Sequence, residues 1–481
     1  MTLDLFAPAT EQIHWLKSGE ISSEALLDAY IARADEVNPA LNTIVSRNVE
    51  QARQLAKSFD ARRAQGEDLG SLQGLPMTLK DSYDVDGLPA VSGAPALANR
   101  PPEANDALVV QKLKAAGAII WAKTNTPLYT GDIQTYNDVY GVTNNPYDLT
   151  RTPGGSSGGS AAALAAGLTP LEVGSDIGGS LRIPAHNCGI YSLKPTHGLL
   201  SLKGHVPPAP NVDIPEPDLA VPGPMARTPE DLALLLSILV GSSEEIVRSA
   251  SLSGLRIALW QEPAFELGGE SARALDDVVG IATAAGASVE IDKPLADGMA
   301  LMEIYQRLLI PIVTAGLPTL TRTAFRLARP FARLLRKKGT ISLFNSIVSA
   351  TQSPEALRAV RRERQALKEA CARFFEGYDL LIAPVTSVEA IPHNNKREFY
   401  RRQISVDGRQ VKYATLYQWI SLATTCHLPA VIVPMRQTAA GLPVGVQLIG
   451  PEGADQKLIA IAQRLAEVIS PLSKPAVHSF S

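Results

Sequence analysis

Residue types able to do covalent chemistry gather in two glycine-rich segments and at one strand end. Thr152-Pro-Gly-Gly-Ser-Ser-Gly-Gly-Ser160 carries the serine pair Ser156 and Ser157, and Val173-Gly-Ser-Asp-Ile-Gly-Gly-Ser-Leu-Arg-Ile-Pro184 closes a glycine pair with Ser180. Upstream, the apolar stretch Leu75-Pro-Met-Thr-Leu-Lys-Asp81 ends on Lys80. A serine hydroxyl is a weak nucleophile until a base stands beside it. A tetrahedral intermediate needs N–H donors aimed at its oxyanion, and losing one such donor costs roughly 10²–10³ in rate. Glycines free the backbone to supply those donors, because no side chain blocks the approach. Asp176-Ile-Gly-Gly-Ser180 could turn several successive N–H groups toward one point, with the Ser180 hydroxyl attacking beside them. A nucleophile, a relay, a base and a set of bare amides suit acyl transfer.

Other readings compete for the same residues. Gly-Gly-Ser stretches are commonly plain loops, and a lysine at a strand end is ordinarily a solvated surface residue. A phosphate cradle needs Gly-x-x-x-x-Gly-Lys-[Ser/Thr], and Gly154 to Ser160 has no lysine. Ser156 and Ser157 also interrupt a dinucleotide fingerprint. Gly155-Ser-Ser-Gly-Gly159 does satisfy Gly-x-Ser-x-Gly, the nucleophile elbow of α/β-hydrolases, with Ser157 as nucleophile. That alternative needs an apolar strand feeding the elbow, then an acid and a histidine. The approach, Asn144 to Pro153, is instead rich in turn residues. His393, His427 and His478 are available but stand in no distinctive context.

Five segments in fixed order resemble the amidase signature enzymes. They are Gly74-Leu-Pro-Met-Thr-Leu-Lys-Asp81, Ala122-Lys-Thr-Asn-Thr-Pro127, Pro153-Gly-Gly-Ser-Ser-Gly-Gly-Ser160, Gly174-Ser-Asp-Ile-Gly-Gly-Ser-Leu-Arg-Ile-Pro184 and Gly189-Ile-Tyr-Ser-Leu-Lys-Pro-Thr196. The resemblance runs from about Leu72 to Gly198 and resumes weakly near the C-terminus. It implies a Ser–cis-Ser–Lys triad: Ser180 as nucleophile, Ser156 as relay behind a cis Gly155–Ser156 bond, and Lys80 as base. It also implies an oxyanion hole from the N–H groups of Ile177, Gly178, Gly179 and Ser180. Tyr129, Thr130, Gly131 and Asp132, just after the Lys-Thr-Asn-Thr-Pro motif, become candidate substrate contacts. Ser157, Asp176 and Arg182 become supporting residues; Ser157 could bond within its loop, and the other two could brace the loop as a buried pair. Ordinary structural hydrogen bonding would use the same three residues. For Lys80 to accept a proton near neutrality it should titrate at roughly 7–8. Burial among Pro76, Met77 and Leu79 would push it down from about 10.4. No metal or organic cofactor is expected.

Elements that could position these groups are legible. Ile21 to Val37 predicts an amphipathic helix capped by Ser22 or Ser23 and stopped by Pro39. A helix over Ala107 to Ala116 precedes a strand over Ala118 to Ala122, and Ser160 to Ala166 predicts a helix leaving the first serine loop. Thr228-Pro-Glu-Asp231 opens a helix through Val240, with a capping threonine and proline at the first helical position. Further strands are expected at Leu255–Trp260, Leu380–Ala383, Ala430–Val433 and Val444–Ile449. Alternating strands and helices predict an α/β fold: a large mixed, largely parallel sheet sandwiched between helices (α/β/α). The 481 residues divide into an N-terminal helical segment (1–60), a catalytic core with the motifs (61–290), a helical stretch in two parts separated near Gly339 (291–375), which the resemblance implies is a substrate-side insertion, and C-terminal strands and helix completing the core (376–481). Pro207 to Pro224 is expected to be a rigid loop.

Composition bounds partners. A net charge of −3 argues against a nucleic-acid binder. Cys188, Cys371 and Cys426 are scattered and form no CxxC, so neither a zinc site nor a disulfide framework is indicated. Met1 to Pro8 lacks the marks of a secretory signal and no apolar run reaches a membrane span, so a cytoplasmic protein is expected. Arg322 to Lys338 is basic and amphipathic but broken by Pro330, and membrane contact is not expected. A small-molecule amide is the expected partner, with a homodimer left open. Leu128, Tyr129, Ile133, Tyr136 and Trp419 are candidate apolar lining, and no cluster of fixed charge marks an ionic substrate. The expected activity is therefore hydrolysis of a neutral, moderately hydrophobic amide, with carbamates or esters as side substrates. One alternative is the glutaminase subunit of a transfer-RNA-dependent amidotransferase, which shares the triad; the Ser-Leu-Asp-Gln stretch associated with that subunit is missing after Thr196. A non-catalytic binding protein on the same scaffold is the other.

Overall fold

The computed structural model describes residues 3–207, 216–242, 251–395, 398–475 and 477. Strands such as Leu380–Pro384 and Pro443–Ile449 are buried at every position. Strands buried on both faces need cover on both. The cover is present as two apolar cores, and successive strand residues alternate between them. Leu380 and Ile382 point into one core with the helices Ser23–Leu41, Pro229–Val240 and Asp455–Ala466; Leu381 and Ala383 point into the other with Gly158–Ala165, Arg182–Cys188 and Gly298–Val313. The layers are thus helix, sheet, helix.

The main sheet has eight strands in the order Ser288–Ile291, Arg256–Leu259, Leu380–Pro384, Pro443–Ile449, Ala430–Gln437, Tyr191–Lys194, Val221–Ala226 and Leu171–Asp176. It is mixed, but not largely parallel as expected. Only the pairings of Arg256–Leu259 with Ser288–Ile291 and with Leu380–Pro384 are parallel. The other five are antiparallel. The link from Gln437 to Pro443 is too short for a crossover, so it closes a hairpin. A second sheet of three strands stands apart, with Ile119–Thr124 between Ile44–Arg47 and Pro76–Lys80.

Local signals explain most boundaries. The Ala25 N–H donates to Ser22 Oγ at 3.0 Å and starts the helix Ser23–Leu41. Pro39 lies inside that helix rather than beyond it. It falls in the last turn, and Asn42, at φ 50°, closes the end by donating to the Asn38 carbonyl. The Asp231 N–H donates to Thr228 Oγ1 at 3.2 Å at the start of Pro229–Val240. Within the expected Pro207–Pro224 loop, residues 208–215 lie outside the described residues, and Val221 onward is a strand. Only Met225 and Ala226 of that strand pair with Tyr191–Lys194, so Pro222 and Pro224 face a flank where no donor is required.

Between Ile291 and Leu380 run four helices, Gly298–Val313, Thr319–Leu335, Leu343–Ala350 and Pro354–Gly377, with Gly339 in the link between the second and third. The second turns Leu320, Leu327, Phe331 and Leu334 to solvent. Among the described residues no helix is long and apolar enough to cross a membrane.

Candidate active site

Two strands from different sheets bring the chemistry together. Pro76–Lys80, buried throughout, ends on Lys80; Leu171–Asp176, an edge strand of the main sheet, carries Ser175 and Asp176. Side chains stitch the two strands, with Thr78 Oγ1 donating to Glu172 and the Thr78 N–H donating to Thr169 Oγ1 at 3.0 Å. The first serine loop crosses above them. Its Gly155–Ser156 peptide bond is cis. Gly174 has room for no side chain, since a Cβ there would stand 2.6 Å from Ser157 Oγ.

Lys80 Nζ lies 2.8 Å from Ser156 Oγ, 2.9 Å from Ser157 Oγ and 2.9 Å from Ser175 Oγ. Burial pushes its pKa down to about 7 against the upward pull of Asp176 and Glu172. Lys123 and Lys194 are also buried lysines, yet they meet carbonyl oxygens: Tyr83 and Pro89 for Lys123, Pro195 and Leu428 for Lys194. A carbonyl has no proton to give. Lys123 also pairs with the buried Asp81 carboxylate at 3.8 Å; of the three, Lys80 is the one that faces serine hydroxyls. Ser157 stands at the N-cap position of Gly158–Ala165 but does not cap it. Its hydroxyl serves Lys80 and the backbone N–H and carbonyl of Ser175 instead, not its own loop.

Ser180 is buried, and its loop reaches the first serine loop where the Ser157 N–H donates to the Ser180 carbonyl at 3.3 Å. Among the described residues its hydroxyl has no hydrogen-bond partner. Asp176 and Arg182 form a fully buried bidentate pair, with Nε to Oδ2 at 3.0 Å and Nη2 to Oδ1 at 2.9 Å. Arg182 also donates to the Ile420 carbonyl and to Thr424 Oγ1. Asp176 takes the Gly179 N–H at 2.9 Å and the Leu181 N–H at 3.1 Å. The hole of four amides is corrected here, because the Gly179 N–H is engaged. The N–H groups of Ile177, Gly178 and Ser180 have no partner among the described residues. Gly179 sits at φ 89°, a conformation that favours glycine.

Of the candidate substrate contacts, Asp132 flanks the cis bond, since a Cβ on Gly155 would meet the Asp132 carbonyl and the Gln134 N–H at 2.7 Å. Tyr129 and Gly131 are exposed and Thr130 is half-buried, with Tyr129 and Thr130 both at positive φ. The Asp132 carboxylate is not free: it pairs with Arg402 and accepts from Tyr136 and Tyr413. Of the apolar lining expected from sequence, Ile133 and Trp419 are core residues. Trp419 packs edge-on against Trp260 and Phe265 and borders a cavity of about 530 Å³ lined also by Leu259, Glu262, Leu275 and Arg409, which none of the serines or Lys80 reaches.

The nucleophile-elbow alternative fails on geometry. No strand feeds Ser157, whose hydroxyl is fully buried and meets no histidine among the described residues. His393 bonds Asn144, His427 bonds Asp218, and His478 lies outside the described residues. Sequence reasoning missed Ser175, Glu172 and His205. Ser175 lay inside a motif already singled out; nothing in the pattern marked Glu172 or His205.

A family profile described as Amidase matches residues 25–459. A glutamyl-tRNA(Gln) amidotransferase subunit of Chloroflexus aurantiacus is 31% identical over 94% of this chain and 95% of its own. AtzE, the 1-carboxybiuret hydrolase subunit of a Pseudomonas species, is 32% identical over 91% and 93%. Among solved structures, 6-aminohexanoate cyclic dimer hydrolase in complex with substrate superposes with a TM-score of 0.78 at 26% identity, covering 99% of this chain and all of the other.

Proposed function

The chain belongs to the amidase family, and from that premise we propose that it hydrolyses a neutral, moderately hydrophobic carboxylic amide through an acyl-enzyme on Ser180. The observation that carries this reading is the buried Lys80 amine, 2.8 Å from Ser156 Oγ with a pKa near 7. Neutral Lys80 takes the Ser156 proton as Ser156 takes that of Ser180, and Ser180 Oγ attacks the amide carbon. The oxyanion is received by the N–H groups of Ile177, Gly178 and Ser180. The proton returns along the same path to the leaving nitrogen, which departs as ammonia or an amine. Water, deprotonated by the same pair, then releases the acid. Asp176 and Arg182 hold the Ser180 loop rigid from below. Carbamates and esters present the same carbonyl and are side substrates.

The neutral-substrate reading is supported by Asp132, whose charge is already met by Arg402. Leu128 and Tyr129 are exposed near it and offer apolar contact. The helical stretch 291–375 is read as the substrate side, which is supported by Tyr305 of Gly298–Val313 donating to the Ile177 carbonyl at 3.4 Å. A second reading is favoured by the similarity to the amidotransferase relatives: glutamine hydrolysis that works only within a complex. The purified chain, screened on amides, anilides, carbamates and esters for ammonia or amine release, separates the two. Turnover by the chain alone on a hydrophobic amide supports the first; turnover of glutamine only with added partner subunits supports the second. A fluorophosphonate probe mapped by mass spectrometry is expected on Ser180, and a label on Ser157 instead overturns the assignment of the nucleophile.

A further inference from the structure

His205 touches one of the lysine's three partners, Ser175, rather than the reacting atoms. Its buried ring lies edge-on to Tyr83 at 4.9 Å, with Nδ1 2.8 Å from the Pro207 carbonyl and Nε2 2.9 Å from Ser175 Oγ. A carbonyl oxygen only accepts, so Nδ1 carries the hydrogen. Burial, and secondly the charge on Lys80, keep the ring neutral. Nε2 therefore offers a lone pair, and the Ser175 hydroxyl donates to it.

The rest is a count of hydrogens. Having donated to His205, Ser175 Oγ must accept from Lys80. Ser157 donates to the Ser175 carbonyl at 3.3 Å, so it also accepts from Lys80. A neutral amine has two N–H bonds, and these two serines use both. Its lone pair is left for the third partner, Ser156, which must then be the donor. In the charged amine all three N–H bonds donate. Gain or loss of the proton therefore reverses one hydrogen bond only, that between Lys80 and Ser156.

We propose that His205 is a positioning residue: by drawing the Ser175 hydroxyl toward itself, it reserves the Lys80 lone pair for Ser156. Without that acceptor Ser175 can rotate, donate to the amine and compete with the relay.

This inference rests on Lys80 being the base. The test is the second-order rate at which a fluorophosphonate labels Ser180, where the Ser180 O–P bond forms, fluoride leaves, and the serine proton passes to Lys80. Wild type, His205→Phe, Ser175→Ala and the double variant are compared. His205→Phe is expected to slow labelling about tenfold, the worth of roughly one hydrogen bond. In the Ser175→Ala background the same change alters the rate less than about twofold, because no hydroxyl remains to restrain. His205→Gln can donate to the Pro207 carbonyl and accept from Ser175, and regains most of the lost rate. If the Phe variant does not fold, His205→Leu carries the comparison in both backgrounds. An equal loss with and without Ser175, or no loss at all, overturns the proposal. Failure of the premise shows separately, as near-normal labelling of Lys80→Ala.

Discussion

Lys80→Met is expected to abolish turnover and to change stability in a pH-dependent way that identifies the buried amine. The folded amine titrates near 7 and the ordinary value is 10.5. A gap of about 3.5 pH units corresponds to about 4.8 kcal/mol. Between those limits the unfolded lysine holds a proton and the folded one does not, so unfolding takes up a proton and native stability rises with pH. Below pH 7 both states are charged and the full penalty of the buried cation is present; above 10.5 it is gone. Methionine has no such dependence. Its cost is constant, about 2 kcal/mol for the two N–H bonds lost to the serines. At pH 8 the lysine penalty is about 3.4 kcal/mol and Met is the more stable residue; at pH 10 the penalty is about 0.8 kcal/mol and Lys is. The difference moves by about 1.4 kcal/mol per pH unit. For 481 residues the unfolding entropy is about 1 kcal/mol/K, so the gap in Tm between the two proteins moves by about 1.4 °C per pH unit. Calorimetric scans of both proteins at one scan rate, from pH 8 to 10, measure it; this range also lies above the Glu172 titration near 7. A difference that stays flat across that range would refute the reasoning, because it would mean that Lys80 titrates alike folded and unfolded.

Turnover should follow the same proton. The rate is expected to rise with pH through about 7 and level off above it, since only the neutral amine accepts from Ser156; a profile independent of pH between 6 and 9 would contradict this. Arg182→Met leaves the Asp176 carboxylate buried without its cation, a loss of about 3–5 kcal/mol, or about 3–5 °C in Tm, readable by the same scans. Gly179→Ala forces a side chain to φ 89° and its Cβ to 2.9 Å from Ile183 Cδ1. It is expected to cost about 1–3 kcal/mol and to slow fluorophosphonate labelling at least tenfold, because the Ser180 N–H and hydroxyl move with it.

How much was legible depended on how local the cause was. The Ser22 and Thr228 caps and the strand over Leu380–Ala383 were readable because each is written in a few adjacent residues. The sense of the main sheet was not, because strand direction is set by which segments pair across hundreds of positions. Leu171–Asp176 and Val221–Ala226 pair along six residues with a proline-rich stretch between them that read as loop. Asp132 and Trp419 looked like substrate contacts by type and place in the chain. Their partners, Arg402 for one and Trp260 for the other, lie far off in sequence.

By itself the sequence determined the family, the fold class and which hydroxyls and amine were candidates for chemistry, because those depend on residue type and short spacing. Only the tertiary structure decided which of three buried lysines faces hydroxyls, that the Gly179 amide is held by Asp176, and that a histidine stands behind Ser175. Direction of hydrogen bonding and desolvation are properties of a surrounding shell, and that shell is assembled from strands of two separate sheets.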